Sequence, residues 1–249
     1  MALENEFPIL QRFPKKRPPL PPPYQAIYAQ HYLDNREGNT KATSVSQQLE
    51  RWLHRKVAED LKGQKRNFAT LEIGAGTLNQ IPYEANSFPY DVIEPFHSLY
   101  EHSPYQHEVR HFYDDIREVP ADARYDRITA VATFEHITDL PTVVAKAALL
   151  LASQGSLRIS IPNEGTWLWR LGTQVTGYEF TQKHGLDYQV LMRHEHVNTA
   201  AEIEEVIGVF FTRQRSASFG LNRHTAFYRF IEATQPNLER ARAFLATQP

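Results

Sequence analysis

The run Leu71-Glu-Ile-Gly-Ala-Gly-Thr-Leu-Asn79 carries the strongest chemical signal in this 249-residue chain. An apolar stretch leads into Gly74 and Gly76, and glycine lets backbone N–H groups approach a ligand with no Cβ in the way. Glu94 stands eighteen positions after Gly76, near the end of the next apolar run. A carboxylate there can accept both hydroxyls of a ribose. That pair also fits a dinucleotide site, but the dinucleotide fingerprint needs a third glycine three positions after the second. Asn79 occupies that position, so the fit is poor. Asp114 and Asp115 follow a third apolar run, where a carboxylate can meet an adenine amino group.

Two histidine-bearing segments follow, Phe134-Glu135-His136 and Arg193-His194-Glu195-His196-Val197-Asn198. A hydroxyl that must lose its proton near neutral pH needs a base, and histidine is the natural one. His136 is the first candidate and His196 the second. The bland alternatives stand level with these: His136 as a hydrogen-bonding side chain, and His194 and His196 as an ordered cap before the next helix. Glu135, His136, Glu195 and His196 also offer oxygen and nitrogen donors. None has a spacing diagnostic of a metal, unlike a His-Glu-x-x-His helix, so no metal is expected.

The elements that must position these residues alternate. Short apolar runs predict strands over Phe68–Ile73, Asp91–Ile93, Val109–Phe112, Asp126–Val131 and Leu157–Ile161. A helix is predicted from Ser44, with a Ser44-x-x-Gln47 capping box, to a stop at Gly63. Another covers Leu140–Leu151 and is ended by Gly155. Thr199 caps a third, Ala200–Gly208, and Pro236–Ala246 is the last. Phe210–Ser216 and Thr225–Glu232 lie close in sequence and read as an antiparallel pair. The fold expected is α/β: a doubly wound, mostly parallel, seven-stranded sheet with helices on both faces and an N-terminal helical extension.

Composition narrows the classes further. Lys plus Arg number 27 against 29 Asp plus Glu, a net charge of −2, which disfavours a nucleic-acid binder. There is no cysteine, which removes disulfides, thiolate nucleophiles and iron–sulfur clusters. The longest apolar stretch, Ala145–Ala152, is broken by Lys146 and is far short of a membrane span. The first residues lack the basic-then-apolar order of a signal peptide, so a cytoplasmic protein is expected. Seven of the 16 prolines crowd residues 8–23 beside Lys15, Lys16 and Arg17. This lead reads as a strap over the domain rather than an SH3-type ligand or targeting signal. Tyr24, Tyr28 and Tyr32 share one face of a short helix over Tyr24–Leu33.

In this order the motifs resemble those of the class I S-adenosylmethionine-dependent methyltransferases, close to a small-molecule, type 11-like subgroup with Glu-His after the fourth strand. The resemblance covers about Phe68 to Glu232. One departure stands out: Leu78 occupies the place of the third glycine in acidic-x-Gly-x-Gly-x-Gly. The resemblance implies that Glu72, Gly74 and Gly76 shape the pocket for the methionine half of the cofactor, and that Glu94 holds its ribose. Asp115 and Ile116 flank the adenine, with Asp114 ranked second. Phe134, Glu135 and His136 sit beneath the reactive methyl group.

The segment from Pro162 to Asn198 is long for a connection, and such stretches are more often functional than spare. In the family the acceptor is covered by the N-terminal addition and by insertions near strands four to six. Asn163, Glu164, Trp167, Trp169, Arg170, Tyr188 and His196 are therefore the acceptor-site candidates. Polar groups among tryptophans suit a small polar molecule such as a saccharide. The expected organisation is a proline-rich extension over 1–43 and a methyltransferase domain over 44–249, with the insertion at about 162–198. The expected activity is methyl transfer from S-adenosylmethionine to a sugar or glycan-precursor hydroxyl. The competing readings are a small-molecule N-methyltransferase, which needs no base, and a non-catalytic cofactor-binding subunit. A monomer or homodimer is expected, with no nucleic-acid or membrane partner.

Overall fold

The computed structural model describes residues 3–28, 44–164, 177–178, 180–220 and 225–248. Among these, seven strands form one sheet: β1 Thr70–Ile73, β2 Tyr90–Ile93, β3 His111–Tyr113, β4 Tyr125–Val131, β5 Leu151–Pro162, β6 Phe211–Gly220 and β7 Ala226–Pro236. Their order is β3-β2-β1-β4-β5-β7-β6. Strands β1 to β5 are parallel, and β7 runs antiparallel to both β5 and β6. The doubly wound sheet expected from the alternating pattern is the sheet observed.

Among the described residues the longer helices are α1 Ser44–Val57, α2 Leu140–Leu150, α3 Tyr188–Glu195, α4 Ala200–Phe210 and α5 Leu238–Leu245. The two-residue period of β5 separates the faces. Leu157, Ile159 and Ile161 enter the core shared with α2, α4 and α5. Arg158 and Ser160 turn the other way and donate to carbonyls of Val57 and Leu53 in α1. Thr199 caps α4 as expected: its hydroxyl accepts from the Glu202 N–H, and the Glu202 carboxylate returns to the Thr199 N–H at 2.8 Å. The side chains of residues 44–49, including the Ser44–Gln47 capping box, lie outside the described set, as do Tyr32 and Leu33.

Two local predictions shift. Helix α2 ends at Leu150, within a residue of the expected Leu151, but β5 starts at once at Leu151 opposite Tyr125 rather than at Leu157. The register then slips, and Gly155 falls in the resulting bulge, where a Cβ would lie 3.0 Å from the Tyr125 carbonyl. In the connections from β1 to β4 the described helical pieces are short 3₁₀ turns: Ile81–Tyr83, His97–Leu99, Gln106–Glu108 and Ile116–Glu118. A small second core of Ala75, Leu78, Ile81, Tyr90, Val92 and Tyr100 covers that side. Leu78 has φ +67°, a left-handed backbone that glycine favours. Its side chain is fully buried in this small core, which offsets a strain of about 1–2 kcal/mol.

The N-terminal segment and the insertion meet each other. Ile9 and Leu10 anchor the lead in the main core. Residues 22–28 are helical, and Leu20 and Tyr24 form a third core with Phe180 and Leu191 of the insertion. The Tyr24 hydroxyl donates to the Asp187 carbonyl at 3.0 Å and accepts from the Asp187 N–H at 2.9 Å. None of the described helices is long and apolar enough to cross a membrane.

Candidate active site

Strand order places the site. The chain steps outward from β1 to β2 and β3, then returns to lay β4 on the other side of β1. A crevice forms where the order reverses, at the carboxyl ends of β1 and β4. Both glycines after β1 have positive φ, +71° at Gly74 and +52° at Gly76. Ala132, at the end of β4, is also left-handed at φ +48°, which turns Thr133 onto Gly74. A Cβ at Gly74 would meet the Thr133 Cγ2 at 2.3 Å. Glycine is thus required there by both backbone angle and space.

A cleft of about 440 Å³ opens at this point, lined by residues from both sheet halves and from the lead. At its centre Glu94 is buried, with its carboxylate held by the Gly76 N–H at 2.8 Å and the Phe96 N–H at 3.0 Å. Two backbone donors fix its direction and leave lone pairs for a ligand. Beyond it lie Phe96, Asp114, Asp115 and Ile116. Asp115 caps the 116–118 turn by accepting from the Arg117 N–H at 2.7 Å. Asp114 pairs with His97 at 2.6 Å. An apolar wall of Ile93, Pro95, Phe96, Ile116, Ile137 and Val143 completes this half. The buried carboxylate of Glu94, the apolar wall and the two aspartates fit a nucleoside, which is the group S-adenosylmethionine presents.

At the other end stand Thr133, His136, His194 and Glu195. The loop after β4 and the segment after α3 are stitched together. The Val197 and Asn198 N–H groups both donate to the Glu135 carbonyl, at 2.8 and 3.1 Å. The Asn198 amide donates to the carbonyls of Phe134 and Ile137 at 2.8 and 2.7 Å. His136 and His196 therefore meet, with ring centroids 4.8 Å apart, edge to face. The His136 Nδ1 donates to the Glu195 carbonyl at 2.9 Å, and the His196 Nδ1 bonds the Glu164 carboxylate. Burial works against charge on His196, but the carboxylates of Glu164, Glu135 and Glu195 outweigh it and raise its pKa. Burial, followed by Glu195 and Glu164, pushes Tyr188 up to about 12. Tyr228 on β7 is likewise pushed up to about 12, by burial and then by Glu135.

The candidates from the sequence divide. Gly74, Glu94, Asp114, Asp115, Ile116 and His136 line the cleft, while Gly76 borders it through Glu94. His196 adjoins His136, and Glu164 bonds His196. Phe134 is fully buried in the main core. Asn163 is also buried, donating to the Ala226 carbonyl at 2.8 Å. Glu72 points to the α1 side of the sheet, where the Tyr90 hydroxyl donates to it at 2.8 Å. Burial there raises its pKa to about 8. Trp167, Trp169 and Arg170 lie outside the described residues.

Several cleft residues carried no sequence signal as site residues. Thr133 is one polar residue in an apolar run. Arg17 belonged to a basic cluster too small to argue from, yet it donates to the carbonyls of His136, His194 and Glu195. Tyr28 meets the His194 ring edge-on at 5.3 Å. The proline-rich lead thus forms one wall of the site.

Comparisons with known proteins bear on what this arrangement is for. A family model described as a methyltransferase domain matches residues 41–206, two thirds of the chain. The comparison with curated sequences returns no match. Among solved structures, a possible histamine N-methyltransferase from Thermotoga maritima is similar at TM-score 0.53 and 13% identity, over 85% of this chain and 98% of that one. The N-methyltransferase NodS from Bradyrhizobium japonicum, solved with S-adenosylhomocysteine, gives 0.54 and 13%, over 86% and 99%. The CurJ carbon methyltransferase gives 0.55 and 19%, over 85% and 60%. At these identities the likeness is one of fold.

Proposed function

This chain belongs to the class I S-adenosylmethionine-dependent methyltransferase family, and from that premise we propose that it methylates a hydroxyl of a small polar acceptor, a sugar or glycan precursor. The observation that carries the reading is the joining of two unlike half-sites in one cleft. One half suits a nucleoside, around Glu94; the other holds imidazoles and carboxylates, around His136 and His196.

S-adenosylmethionine, when bound, supplies a methyl group already activated on a sulfonium sulfur. The protein's part is positioning and exclusion of water. In this reading Glu94 accepts the ribose hydroxyls, and Asp115 with Ile116 takes the adenine. Gly74 and Gly76 let the backbone close on the methionine half. His136 keeps its Nδ1 proton on the Glu195 carbonyl, so its other nitrogen, Nε2, carries the lone pair. His196 is turned the same way by Glu164. The acceptor hydroxyl meets one of these Nε2 atoms, which takes its proton as the C–O bond forms and the C–S bond breaks. Glu164 and Tyr188 surround the acceptor from the insertion. Trp167, Trp169 and Arg170 are proposed to complete that wall.

The competing reading, an amine acceptor, has its own support in the carboxylates Glu135, Glu164 and Glu195 around this end, which suit a cation. Turnover separates the two. Small hydroxylated and amine acceptors are offered with S-adenosylmethionine, and S-adenosylhomocysteine release is followed. O-methylation is expected, and it should fall at least a hundredfold when His136 and His196 are both alanine. Methylation confined to amines, or unchanged turnover in the double variant, would overturn the reading.

A further inference from the structure

Proton removal needs one imidazole lone pair, and the fold assembles two of them beside a buried carboxylate. One donor atom each from Glu135, His136 and His196 lies within 4.8 Å of the others, and His136 Nε2 is 3.9 Å from Glu135 Oε1. We propose that these three residues bind a divalent first-row transition-metal ion at the acceptor end of the cleft.

The chemistry of the donors supports this. Two neutral imidazoles and one carboxylate form a ligand set suited to manganese, iron, cobalt or zinc rather than to magnesium or calcium. Three protein ligands leave further positions open for oxygens of the acceptor. Both imidazoles are already set for the task. Each has Nδ1 engaged by an oxygen, the Glu195 carbonyl for His136 and the Glu164 carboxylate for His196. That is the outer-shell arrangement which fixes a metal-binding tautomer and leaves Nε2 as the ligating atom. The loops are fixed as well, through the bonds from Val197 and Asn198 to the Glu135 carbonyl. Ligand atoms about a tetrahedral ion stand about 3.4 Å apart, from bond lengths near 2.1 Å. Moving from 3.9–4.8 Å to that spacing is a shift of side-chain torsions, not of the fold.

Glu135 is 1% exposed and lies in the turn after β4, next to His136, so its place is set by the sheet. The inference rests on the reading of this end as the acceptor end, and it refines the role of the two histidines. With the ion bound they are ligands rather than bases, and the ion would hold the acceptor oxygen in place. An acceptor offering two neighbouring oxygens, as a vicinal diol does, then gains a chelating hold.

Cobalt(II) is the probe. The full chain, stripped with a chelator, is titrated with it by calorimetry and by visible absorption, without acceptor. One ion per chain is expected, with ligand-field bands showing nitrogen ligation. Glu135→Gln and His196→Ala should each weaken binding at least tenfold, while His102→Ala, on the open surface, leaves it unchanged. Glu164→Gln should weaken it about 10- to 100-fold, as loss of an orienting outer-shell partner does. Circular dichroism confirms that each variant is folded. No stoichiometric cobalt binding, or binding indifferent to Glu135→Gln and His196→Ala, would overturn the proposal. S-adenosylhomocysteine binding to the same preparations separates the two readings. If it binds and cobalt does not, the ion is wrong and the methyl-transfer reading stands. If cobalt binds and S-adenosylhomocysteine does not, the ion site stands and the cofactor cleft is wrong.

Discussion

Glu72 offers a quantitative test of how the sheet is built. It is 2% exposed on β1, on the α1 side, with the Tyr90 hydroxyl donating to it. Burial is the largest cause of its raised pKa; Glu84 and Glu94 add to it, while Tyr90 and Arg127 oppose it. The folded value is about 8 against an ordinary 4.5. Between those values the native chain holds a proton that the unfolded chain has released, so rising pH favours unfolding. The stability is fully present below 4.5 and is lost progressively as pH climbs to about 8. At about 1.36 kcal/mol per unit, the loss between pH 5 and pH 8 is about 3–4 kcal/mol. Glu72→Gln removes the ionisation but keeps an acceptor for Tyr90. Its new amide N–H groups cost about 1–3 kcal/mol at every pH. The variant should therefore be the less stable form at pH 5, and the gap should close or reverse by pH 8. Urea denaturation of both forms at pH 5, 6, 7 and 8, without cofactor, measures the gap directly. Two stability curves that stay parallel across this range would refute the reasoning, because the other titrating groups are common to both chains.

Three further outcomes can be checked. Gly74→Ala places a methyl group into Thr133 at a positive φ, and should cost about 2–5 kcal/mol in urea denaturation and abolish S-adenosylhomocysteine binding. In the proposed reading Glu94→Ala removes the charged acceptor of two ribose hydroxyls, each bond contributing about 1.5–3 kcal/mol, and should raise the S-adenosylhomocysteine Kd by at least about a hundredfold by calorimetry. Asn198→Ala removes the side-chain amide that donates to the carbonyls of both Phe134 and Ile137 and should destabilise the chain by about 2–4 kcal/mol. The same variant should speed amide exchange in residues 134–137 and 196–198, where the two histidine loops are joined.

Much of the sheet was legible in the sequence, because strand and helix signals are local. The apolar runs located β1 to β4 to within a few residues and the second half of β5, and Thr199 announced the start of α4. Gly155 misled because a glycine after an apolar helix reads as a stop, whereas here it serves a bulge against the Tyr125 carbonyl. Leu78 was legible as a departure from a glycine pattern. Its left-handed backbone was not, since only the buried cluster around it makes that conformation tolerable.

Residue chemistry and short-range spacing carried the resemblance from which the family and cofactor were named, and they marked the Gly74–Glu94 half of the cleft. Each of those depends on a backbone demand or on a fixed distance along one strand–loop unit. The other half depends on separations that spacing cannot encode. His136 and His196 lie sixty positions apart and become neighbours only because β4 sits between β1 and β5, and because Asn198 ties the returning chain to the β4 exit. Glu72 shows the same limit in reverse: motif position put it at the cofactor, and the alternation of β1 turned it to the opposite face. The proline-rich lead shows it again, since its composition indicated stiffness and its contacts make it a wall of the site. Periodicity and residue type are properties of neighbours along the chain; which loops share a cleft is set by strand order and facing, and those exist only once the sheet has closed.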